Sequence, residues 1–104
     1  MSRKEELLQL IKDKVHSVVP NAKIILFGSQ ARGNATPDSD WDLLILVDKP
    51  QLNPNDFDTI SYPLMELGWQ PGEQFSPKLY AVSDWLKRSF TPFYKNVEEE
   101  GIVL

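Results

Sequence analysis

The segment Trp41-Asp42-Leu43-Leu44-Ile45-Leu46-Val47 is apolar at every position but one. It has the length of a strand, and a strand apolar on both alternating faces needs cover on both. That requirement points to an α/β (α+β) chain: a small mixed sheet with helices packed chiefly on one side. A second apolar run, Lys23-Ile24-Ile25-Leu26-Phe27, has strand length and stops at Gly28. Residues 73 to 82 read as a third strand, in which Pro77 marks an edge position or a bulge.

The helices announce themselves by period and by their ends. Ser2 with Glu5 forms a capping-box pattern, and Leu7, Leu8, Ile11, Val15 and Val18 share one face, predicting a helix over 3–18 that Pro20-Asn21 breaks. Residues 29–39 predict a short helical turn and then a loop bending at Gly33-Asn34. Asn53 before Pro54 starts another helix, with Phe57, Ile60, Leu64 and Leu67 on its apolar face, a kink at Pro63 and an end at Gly68. Ser83 and Thr91-Pro92 predict caps of two short closing helices, the second stopping at Gly101. With no repeat, low-complexity tract or linker, residues 1–104 read as a single domain.

Composition excludes several kinds of chemistry. Absence of cysteine removes disulfides, catalytic thiols and thiolate metal sites, so any metal must rest on oxygen ligands or on the single His16, which favours Mg²⁺ or Mn²⁺. No apolar run approaches the roughly 20 residues that span a bilayer, so the expectation is a cytoplasmic protein without membrane attachment. A net charge of −4 argues against gripping nucleic acid by counterion release; Lys12, Lys14 and Lys23 form no clean patch because Asp13 interrupts them.

The residues that suggest chemistry flank the two apolar runs. Strand alternation puts Asp40 and Asp42 on one side with Cα atoms roughly 6.6 Å apart. Two such charges repel by about 2.5 kcal/mol at an effective dielectric of 20, and a bridging divalent cation offsets this. Gly28 lets backbone approach a phosphate, and Ser29 adds a hydroxyl at the same turn. If the two strands are neighbours, phosphate cradle and carboxylates meet at one end of the sheet.

Leu26-Phe27-Gly28-Ser29, ten intervening residues and then Asp40-x-Asp42 ahead of an apolar strand resembles the signature of the DNA polymerase beta superfamily of nucleotidyltransferases. Ala31-Arg32-Gly33 and Ser39-Asp40-Trp41-Asp42-Leu43 resemble its minimal, single-domain bacterial branch, as does the tail from Thr91-Pro92-Phe93-Tyr94 to Gly101. The resemblance implies transfer of a nucleoside monophosphate from a nucleoside triphosphate, ATP foremost, to an acceptor hydroxyl on a protein, RNA or small molecule, with Mg²⁺ or Mn²⁺ assisting. It implies Asp40 and Asp42 as metal ligands and catalytic carboxylates, and Gly28 and Ser29 on phosphate. Where many relatives carry Arg this chain has Gln30, leaving Arg32 as the nearest cation for the triphosphate. Active relatives also bring a third carboxylate from a later strand; Glu73 is the candidate for that metal ligand or base. Minimal relatives are often paired with a small helical partner protein, sometimes as antitoxin to its toxin; a homodimer is the other expected assembly.

Each feature also has a plainer explanation. Gly28-Ser29 alone fits any turn at a strand end, Asp40-x-Asp42 alone fits an Asx turn, and sugar-nucleotide glycosyltransferases also use Asp-x-Asp. Arg32 could pair with Asp38, His16 belongs to the polar side of its helix, Trp41, Trp69 and Trp85 suit core or interface, and Glu98-Glu99-Glu100 suits a solvated face. The cradle at the right distance from the carboxylates, in so short a chain, disfavours the glycosyltransferase and favours a nucleotidyltransferase site; a catalytically weak nucleotide-binding or interaction module is the alternative, motivated by the ambiguous third carboxylate.

Overall fold

Trp41–Val47 is the backbone of the molecule. In a computed structural model describing residues 2–104, this strand (β2) pairs antiparallel with β1 (Lys23–Phe27) and parallel with β3 (Phe75–Ala81). A two-residue strand, β4 (Ile102–Val103), pairs antiparallel with the outer side of β1, giving the order β3-β2-β1-β4. Pro77 thus lies on an edge strand, opposite Leu43, where its missing N–H disturbs the sheet least.

The near-continuous apolarity of β2 is used on both faces. On one, Trp41, Leu43, Ile45 and Val47 join Ile24 and Leu26 of β1 under α1 (Arg3–Val18), whose Leu7, Ile11 and Val15 are buried. On the other, Leu44 and Leu46 join Ile25, Trp85 and Val97 beneath α5 (Val82–Leu86) and α6 (Pro92–Glu100). The larger helical layer is on the α1 face, as expected, and the shorter helices close the opposite one.

Local signals account for most ends. The Ser2 hydroxyl accepts the Glu5 N–H at 3.1 Å, and Asn53 and Asp56 complete a reciprocal capping box around α3 (Pro54–Asp56). Between α3 and α4 (Tyr62–Trp69) lies a π-helical turn, Phe57–Ser61, where the Tyr62 N–H bonds the Phe57 carbonyl. The kink expected at Pro63 takes this form: Pro63 sits in the first turn of α4, where a missing N–H is tolerated. Thr91 caps α6 through the Tyr94 N–H, but Ser83 caps nothing; α5 starts at Val82, directly out of β3, with Ala81 before it. No helix among the described residues is long and apolar enough to cross a membrane.

Candidate functional site

The antiparallel register sets Phe27, the last residue of β1, opposite Asp42. The chain then turns at Gly28 with φ 74° and ψ −158°, a conformation essentially confined to glycine. A Cβ at this position would collide with the Asp42 carboxylate. The backbone conformation demands glycine, and the same lack of a side chain lets the carboxylate come this close. The short helix α2 (Ser29–Arg32) opens here, with the Ala31 and Arg32 N–H groups both donating to the Gly28 carbonyl at 3.1 Å. It ends at Gly33, left-handed at φ 81°, whose N–H donates to the Ser29 carbonyl at 3.0 Å.

Residues opposite each other in a ladder share a face, so Asp42 belongs with Phe27, Leu44 and Ser76 on the α6 side of the sheet. Asp40, two residues earlier, accepts a hydrogen bond from the Ser76 hydroxyl at 3.4 Å. Lys78, opposite Leu44 on β3, follows Ser76 on the same face. Phe27, Gly28, Ser29, Arg32 and Asp42 line a cleft of about 370 Å³ whose other wall is Phe93, Asn96, Val97 and Glu100 of α6. Two of its lining rings, Phe27 and Phe93, meet edge to face at 5.5 Å. Burial raises the Asp42 carboxyl above the ordinary carboxylate range; the Asp40 charge adds to the rise, while Lys78 and Arg32 oppose it. A cation placed between the two aspartates would offset their mutual repulsion and favour the ionised form.

Glu73 is not brought to this pair. Its Oε2 accepts the Trp41 indole N–H at 3.0 Å and its Oε1 accepts from the Arg3 guanidinium at 3.0 Å. Trp41 alternates with Asp40 and Asp42 and points to the α1 face, so the carboxylate it holds lies on the opposite side of the sheet entrance. Among the described residues no group of three or more His, Asp or Glu side chains is placed to hold a metal ion. Arg32 reaches the cleft, paired with Glu100 at 3.2 Å rather than with Asp38. His16 is half-buried and its Nε2–H donates to the Ala22 carbonyl at 3.0 Å, tying α1 to the start of β1.

A family model described as the nucleotidyltransferase domain matches residues 5–103. The chain belongs to this nucleotidyltransferase family. A protein of Methanocaldococcus jannaschii, whose name carries protein adenylyltransferase activity as a provisional assignment, is 34% identical over 100 residues, covering 96% of this chain and 92% of that protein. A solved structure described as a toxin–antitoxin with AMP-PNP shares the fold, with a TM-score of 0.62, 19% identity and coverage of 98% of this chain and 72% of the other.

Several residues of this candidate cleft escape a reading of motifs alone. Ser76 and Lys78 come to Asp42 only through the parallel pairing of β3, although their spacing of two already placed them on one face of that strand. Phe93, Asn96, Val97 and Glu100 recur every three or four residues, the signal of a helix face turned to one neighbour. What that neighbour is depends on where α6 lands.

Proposed function

We propose that this nucleotidyltransferase domain moves a nucleoside monophosphate from a nucleoside triphosphate, ATP foremost, to an acceptor hydroxyl, with Mg²⁺ or Mn²⁺ held by Asp40 and Asp42. The observation that carries the reading is the meeting of the Gly28 turn with the Asp42 carboxylate, which permits a phosphate and its cation to share one corner of the cleft. The donors fit such an ion: two carboxylates on one sheet face, hard oxygen ligands that leave coordination positions for phosphate and water. When bound, the ion supplies charge neutralisation on the attacking and leaving oxygens.

The chain's own residues do the positioning. Gly28 and Ser29 receive the phosphates against backbone and hydroxyl, Arg32 exchanges Glu100 for a phosphate oxygen, and the α6 wall excludes water from one side. The acceptor oxygen forms a bond to the α-phosphorus as the bond from that phosphorus to the bridging oxygen breaks. Pyrophosphate leaves and the hydroxyl proton passes to solvent. No protein nucleophile is needed, consistent with a chain that has no cysteine. The name of the M. jannaschii relative supports a protein hydroxyl as acceptor ahead of RNA or a small molecule.

A second reading, a nucleotide-binding module serving a small helical partner protein or its own dimer, is favoured by the uncharged Ser76 opposite Asp42 and by the toxin–antitoxin fold neighbour. ATP labelled at the α-phosphate separates the two. Incubated with Mg²⁺ and cell extract, the protein is expected to transfer label to an acceptor, and Asp42→Asn to abolish it. Binding of ATP without label transfer supports the module instead.

A further inference from the structure

In the parallel ladder, the residue opposite Asp42 is Ser76, and the next residue on the same face of β3 is Lys78. Within the sheet, a third carboxylate beside Asp40 and Asp42 would have to stand at one of these positions, because β1 supplies Phe27 and Ile25 on the other side of β2, and across the cleft the Glu100 carboxylate of α6 is paired with Arg32 at 3.2 Å. The first position carries a hydroxyl already bonded to Asp40 at 3.4 Å, and the second carries a cation. Glu73 is held on the far face by Trp41 and Arg3. Among the described residues the sheet face thus offers two carboxylates and no group of three, a donor set for one divalent ion rather than two.

Resting on the nucleotide reading above, we infer that the centre holds a single divalent cation and that the Lys78 ammonium binds the triphosphate where a second cation would otherwise sit. An ammonium is a compact charge on a flexible stem, suited to phosphate without fixed geometry. Lys78 is exposed, and among the described residues no Asp or Glu carboxylate pairs with it within 4.0 Å. A plainer role exists, since lysine on an edge strand discourages sheet-to-sheet association; that role leaves nucleotide affinity untouched.

The test counts ions rather than turnover. Mn²⁺ bound per chain is measured by electron paramagnetic resonance during titration in saturating AMP-PNP, and AMP-PNP affinity is measured by calorimetry at fixed Mn²⁺. Wild type is expected to bind one Mn²⁺ per chain. Lys78→Ala is expected to weaken AMP-PNP about ten-fold or more, the scale of a hydrogen bond to a charged group, and Lys78→Arg to restore most of it. Ser76→Asp combined with Lys78→Ala is expected to admit a second Mn²⁺. Two Mn²⁺ in the wild type, or AMP-PNP affinity within two-fold after Lys78→Ala, overturns this inference and leaves the nucleotide site standing. Absence of both Mn²⁺ and AMP-PNP binding overturns the nucleotide reading itself.

Discussion

Replacing Gly28 by alanine strikes the corner on which the site is built. The native φ of 74° with ψ of −158° costs a non-glycine residue about 1–3 kcal/mol. The new methyl also collides with the Asp42 carboxylate, which must swing away because the backbone of β2 is fixed by ladders on both sides. For a domain near this size each kcal/mol lowers Tm by roughly 4–8 °C, so a drop between about 5 and 20 °C is expected. Urea unfolding of Gly28→Ala, Asp42→Ala and the double variant separates the two causes. The backbone share persists in the double variant and the collision share disappears, giving a coupling of about 0.5 kcal/mol or more. Gly28→Ala should in addition lose Mn²⁺ and ATP binding in step with displacement of the carboxylate. Wild-type stability in Gly28→Ala, or additive losses with no coupling, would refute the reasoning.

Three further outcomes follow from the same geometry. Because the Asp42 carboxyl is raised in the fold by burial and by Asp40, its ionisation opposes folding: the penalty is absent below the ordinary carboxylate value of about 4 and grows as pH rises through the raised one. Asp42→Asn should therefore raise the Tm of the metal-free protein at pH 7 with an advantage that vanishes by about pH 3, measured by thermal melts across pH; a lower Tm at pH 7 contradicts this. Glu100→Gln releases Arg32 from an exposed pair worth at most about 1 kcal/mol, so calorimetry should find ATP binding tightened a few-fold with stability almost unchanged; weakened binding would assign Glu100 a direct role. Glu73→Gln, which keeps one acceptor oxygen and loses the charge and the other, should lower stability by about 1 kcal/mol while Mn²⁺ affinity stays within two-fold; a large loss of Mn²⁺ would return Glu73 to the metal.

What could be read from the sequence was what neighbours along the chain decide. Trp41–Val47, Lys23–Phe27 and the caps at Ser2, Asn53 and Thr91 depend on periodicity and on side chains that satisfy nearby N–H groups, and they stand where expected. The nucleotidyltransferase family itself was legible in Gly28-Ser29 and Asp40-x-Asp42, whose spacing reflects two adjacent strands. Long-range pairing was hidden. Glu73 looked like a third carboxylate because it precedes the right strand, yet a one-residue change of phase along a strand reverses the face, and its bond to Trp41 puts it on the wrong one. Strand β4 is two residues long and exists only because α6 returns the chain alongside β1, so no local pattern marks it. The partner of Arg32 proved to be Glu100, sixty-eight residues away, rather than nearby Asp38 for the same reason.

The central claim is a joint site in which Asp40, Asp42 and the Gly28 turn hold a divalent cation together with a nucleoside triphosphate. Calorimetric titration of ATP into the wild type with and without Mg²⁺, and into Asp40→Asn/Asp42→Asn with Mg²⁺, tests it most directly. The account predicts saturable binding of one ATP per chain that needs Mg²⁺ and is lost in the double variant. Equal binding in all three titrations, or none in the wild type with Mg²⁺, would contradict it.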